Sequence, residues 1–109
     1  MKMTLTLFAA TGLALLASPA LAKDAHCYTT DDGEYDCWFV ALDGNGSFEI
    51  SADSLPTYRV WIDAPGVASV GAVFEAGGRS VPLPGPHYRS DQDGACWVSA
   101  ATETEICAW

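Results

Sequence analysis

Residues 38–52 read WFVALDGNGSFEISA, and two architectures compete for them. Aligned on its glycine, Asp43-Gly44-Asn45-Gly46 matches the middle of a helix–loop–helix calcium loop, with Ser47 as a further ligand and Phe48 on the apolar position that follows. The match fails where the chemistry is: Ala41 stands in place of the first carboxylate and Ala52 in place of the bidentate glutamate. The flanks alternate with a period of two, which is the strand period. Asp and Asn tolerate turn conformations and Gly supplies positive φ, so a hairpin accounts for these residues without a metal. A weak calcium site from Asp43, Asn45, Glu49 and Asp53 is the metal-based alternative. On the hairpin reading, Trp38, Val40 and Leu42 form one face with Phe48 and Ile50 on the facing strand. Phe39, Ala41, Ser47, Glu49 and Ser51 then point away.

The same period continues in both directions. Asp31-Asp32-Gly33 is a turn about which Cys27 and Cys37 are symmetric, with short strands at 26–30 and 34–36. Tyr58, Val60 and Ile62 alternate with Arg59, Trp61 and Asp63, and Ala64-Pro65-Gly66 turns the chain. Ala68, Val70, Ala72 and Phe74 share the next face before Gly77-Gly78. Residues 79–83, limited by Pro82 and Pro84, suit an edge strand. Residues 84–94 read as a polar loop. The last two strands are 95–99 and 105–109, with Trp97 opposite Ile106. No segment sustains a helical period. The expected fold is all-β, a small antiparallel sandwich or barrel of about eight short strands.

Residues 1–22 precede this pattern and carry a signal peptide: Lys2, an apolar run from Leu5 to Leu16, and the small-x-small site Ala20-Leu21-Ala22. The run is shorter than the roughly 20 residues a membrane span needs. Cleavage leaves one domain, residues 23–109, exported to the periplasm or beyond. Such a short chain has a marginal core. Cys27, Cys37, Cys96 and Cys107 offset this as disulfides, the default in an exported chain. Spacing favours two local bridges, Cys27–Cys37 and Cys96–Cys107, each contributing roughly 2.5–3 kcal/mol. Zinc is the rival, without a C-x2-4-C pair to support it.

All 14 acidic residues lie after residue 22, against Lys23, Arg59, Arg79 and Arg89, so the exported chain carries a net charge of −10. That field repels nucleic acid and anionic lipid and attracts cationic partners. Trp61 stands between Arg59 and Asp63 on one strand face, the composition of a binding hot spot. The 82–96 loop adds His87, Tyr88 and Arg89 as contact groups. Trp38 and Trp97, each following a cysteine, are expected to pack on the disulfides.

The expected function is a binding module that recognises a protein partner in the cell envelope. A specific form is an inhibitor of a cationic exported enzyme such as a lysozyme, by analogy of size, compartment and charge alone. An accessory subunit of an exported complex is an alternative, using Phe39, Ala41 and Trp109 as an outward apolar strip. A calcium-dependent structural module is another. An enzyme would rest on His87 with Asp91 or Asp93 as general base, but there is no G-x-S-x-G elbow and every cysteine is assigned to a bridge. No catalytic residue, cofactor or metal ligand is expected.

Overall fold

The computed structural model describes residues 22–109; residues 1–21, and with them nearly all of the signal-peptide reading, lie outside these. Nine strands follow in order: β1 Lys23–Thr29, β2 Gly33–Ala41, β3 Phe48–Ser51, β4 Thr57–Ala64, β5 Val67–Val73, β6 Val81–Pro82, β7 His87–Arg89, β8 Cys96–Ser99 and β9 Glu105–Ala108. They pair antiparallel in the order β4-β3-β2-β1-β9-β8-β7-β5-β6, and β5 pairs back onto β4. Eight strands therefore close a barrel, and β6 pairs with the second half of β5, along the same edge as β7. Of the two expected architectures, the barrel is the one formed. Closure removes the exposed sheet edges that invite aggregation.

The inward faces meet as one apolar cluster. Ile50, Val60, Ala68, Val70, Ala72, Trp97 and Ile106 pack with the Cys27–Cys37 bridge. Alanines on β5 leave room for the Trp97 ring, the large-and-small filling a narrow barrel requires. Both bridges are the expected local ones. The Cys27–Cys37 sulfurs lie inside the barrel, whereas Cys96 and Cys107 stand directly opposite one another on its outer face, with Cα atoms 4.0 Å apart.

Several side chains differ from expectation, and register explains each. Cys27 pairs with Tyr35 rather than Cys37, so the first turn centres on Asp31 and the bridge runs diagonally, Cα to Cα 5.9 Å. The Thr29 hydroxyl fixes this turn. It accepts the Asp32 N–H and donates to the Asp32 carboxylate, while Gly33 takes φ +77°. Across the second turn Ala41 opposes Phe48 and Phe39 opposes Ile50. Phe39 therefore points inward and stacks on Phe48 at 5.1 Å, and Trp38 points outward, 50% exposed. Ser47 is buried and accepts the Ile62 N–H. Phe74 is 56% exposed because β5 ends at Val73.

One end of the barrel is plugged by polar groups. Tyr58 reaches from β4 to donate to the Asp32 carboxylate at 2.9 Å. Burial and that anion push the Tyr58 hydroxyl far above its ordinary pKa. Burial, then the Asp32 charge, push Tyr35 up to about 12.

Candidate functional site

The opening stretch forms a hairpin. β2 and β3 flank it, and the Leu42 N–H donates to the Ser47 carbonyl across it. One oxygen of Asp43 accepts the N–H groups of Asn45 and Ser47, at 2.8 and 3.1 Å. Hydrogen bonding from the Asn45 N–H first, then from the Ser47 side chain and N–H, holds the Asp43 carboxyl below the usual carboxylate range. Its role here is to close the turn.

Of the six sequence candidates, four gather on one outer face. Arg59, Trp61 and Asp63 lie on β4, and Trp61 opposes Ser69 of β5. Tyr88 of β7 opposes Val67 of the same β5 strand. Trp61 and Tyr88 therefore flank β5 from either side, offset by two residues along it and roughly 12 Å apart by strand spacing and rise. They are 44% and 48% exposed. The polar groups around them are held in place: Arg59 Nε donates to Glu49 at 2.8 Å, and the Ser69 hydroxyl donates to Asp63. The Ile62/Ala64 bulge beside Asp63 adds local twist at the strand end.

The other two candidates sit elsewhere. Arg89 lies over the Trp97 ring, 4.4 Å from its centroid, and donates to the Gly94 carbonyl. It caps the barrel end and braces the 90–95 loop. His87, expected as an exposed contact group, is 1% exposed. It opposes Ser99 and Ala68 on the inner face, because β7 begins inside the segment read as a loop. Burial lowers its pKa, so the ring is neutral near pH 7, and among the described residues Nδ1 has no hydrogen-bond partner. The Asp93 carboxylate is taken by the Ala95 N–H and the Trp109 indole. The His87–Asp93 pair required by a general base is not formed.

The sequence reading missed a second outer feature. A groove of about 550 Å³ lies between the 52–56 turn and the 74–78 loop, on the outer face of β3, β4 and β5. Trp38 stands opposite Ser51 of its lining, on the neighbouring strand. The signal was available: with Cys37 inside, the next residue must face out. Phe39, assigned to an outward apolar strip, is inside, and Ala41 shares its strand face opposite buried Phe48, so of that strip only Trp109, 51% exposed, remains. No protein-family model, curated protein or solved structure matches the chain.

Proposed function

We propose that the exported chain is a non-catalytic acidic binding module whose partner is a basic protein of the cell envelope. The observation that carries this reading is the Trp61–Tyr88 pair: two half-exposed aromatics on the strands either side of β5, with Arg59 and Asp63 pre-ordered beside Trp61. Ordered polar groups around exposed aromatic rings reduce the entropy lost on binding. The charge of −10 favours a cationic partner and a fast encounter. Outward acids on the strands, Glu34, Asp36 and Glu49, are unlike the apolar outer band of a membrane-spanning barrel and support a partner met in water. Inhibition of a cationic exported enzyme is the specific form of this proposal. The two bridges support a periplasmic or secreted setting.

The test is cross-linking of the oxidised 23–109 chain in envelope extract, with and without a calcium chelator. One stoichiometric, salt-sensitive basic protein is expected in both conditions, and its capture is lost in the Trp61→Ala/Tyr88→Ala variant. Both side chains are half exposed, so the variant keeps the fold. Recovery of no protein, or equal recovery by the variant, sinks the reading. Capture only with calcium present returns the structural-module alternative.

A further inference from the structure

We propose that the groove between the 52–56 turn and the 74–78 loop receives a lysine or arginine side chain of a protein partner. Its floor is a row of outward residues across adjacent strands. Trp38 opposes Ser51, Thr57 opposes Val73, and the β3–β4 register sets Ser51 beside Thr57. The two loops rise on either side and enclose about 550 Å³, a volume within the ordinary range for ligand sites.

The groove's chemistry is that of a cation with an apolar stem. Phe74 lines the groove and is half exposed, and half-exposed Trp38 stands one strand beyond Ser51 of the lining. Glu49, Asp53 and Glu75 line it against a single cation, Arg59, which is already paired with Glu49. Among the described residues Asp53 and Glu75 form no ion pair. A lysine or arginine side chain lays its methylenes on the aromatic edge and its charge near the two carboxylates. An anion is repelled, and a neutral sugar uses the rings but gains nothing from the two charges. The inference rests on the basic-partner reading and adds where one basic side chain of that partner sits, a site separated from Trp61 by the Arg59–Glu49 pair.

The probe is an N-acetylated, C-amidated penta-lysine peptide, titrated into the oxidised 23–109 chain at low salt and followed by amide and indole NMR shifts. Shifts concentrated at residues 51–57 and 73–78 and at the Trp38 indole are expected. The same peptide with acetylated lysines should cause none. Asp53→Asn/Glu75→Gln should raise Kd about fivefold or more. Asp31→Asn/Asp91→Asn, which removes the same charge elsewhere, should change it less than about twofold. Equal weakening by both pairs, or shifts spread over all acidic loops, would reduce the effect to the general field and overturn the proposal. So would an oligosaccharide that shifts the groove residues when the lysine peptide does not. Failure of the partner reading is separable: envelope capture then finds nothing, while the peptide still maps to the groove.

Discussion

The dipeptide Cys-Trp occurs twice, at 37–38 and at 96–97, and the barrel uses it in opposite senses. At the first, Cys37 points into the core with Cys27, and Trp38 faces out. At the second, Trp97 fills the core, 2% exposed, and Cys96 joins Cys107 on the other side of the strand, outside the apolar cluster yet also buried. Successive strand residues point to opposite sides, so a cysteine and the tryptophan after it cannot both be inside. The remaining choice is which of the two goes in. In β8 the cross-strand partner of Trp97 is Ile106, and the pair together buries more apolar surface than a disulfide does. In β2 the alternation of Tyr35, Cys37 and Phe39 with Glu34, Asp36 and Trp38 puts two acids on the outer face. Burying Trp38 would bury both acids as well.

The largest expected effect abolishes the comparison. Reducing both bridges removes roughly 5–6 kcal/mol in the chain-entropy model, comparable to the whole stability of a small domain. The oxidised chain should melt many degrees higher than the reduced one, and an unchanged melt would contradict two structural bridges. The next effect separates the two tryptophans. Trp97→Ala should cost about 3–5 kcal/mol by urea unfolding, and Trp38→Ala less than about 1 kcal/mol. Equal losses would mean that Trp38 is packed. A smaller effect separates the bridges. They close loops of nearly equal length, with sequence separations of 10 and 11, so their entropic contributions match. Both bridges are buried, but only Cys27 and Cys37 belong to the apolar cluster inside the barrel, so Cys27→Ala/Cys37→Ala also opens space there, where neighbours relax only partly. It should cost about 1 kcal/mol more than Cys96→Ala/Cys107→Ala.

Much of this was readable from residue order. The turn at 43–46 has four residues, so even-numbered positions on one strand oppose odd-numbered positions on the other. Phe48 and Ile50 therefore had to face Phe39 and Ala41, not Trp38, Val40 and Leu42. The same parity places Trp97 beside Ile106, as expected. Other features depend on tertiary structure. β7 is three residues, His87–Arg89, too short to display alternation and too polar to read as a strand, yet it closes the barrel between β5 and β8. The diagonal path of the first bridge follows from the Thr29–Asp32 bonds, which shift the turn centre by one residue. The Trp61–Tyr88 juxtaposition depends on β5 lying between β4 and β7. The groove depends on two loops meeting that are twenty residues apart in sequence.

His87 sharpens the comparison on the Trp97 side alone. It lies on the inner face of β7, opposite Ser99 and two positions from the Arg89 that covers Trp97. Among the described residues, the titratable groups on the inner side beside the Cys27–Cys37 bridge are Tyr35 and Tyr58, whose hydroxyls burial and Asp32 push well above the ordinary value, and the Asp32 carboxylate bonded to Tyr58; none is a histidine. Burial lowers the His87 pKa below its ordinary 6.5, so the unfolded chain takes up the proton first. The stability that depends on a neutral His87 is complete above pH 6.5 and falls as pH drops from there through the lower folded value. The expected outcome is a decline in urea midpoint between pH 6.5 and 4.5, absent in His87→Asn measured against its own value at pH 7.5. Amide exchange should rise first in β7 and β8 and later in β1 and β2. A decline of equal size in the variant would assign the acid sensitivity to the surface carboxylates instead. Uniform exchange would mean that the two Cys-Trp halves open together, the bridge in one half holding the other.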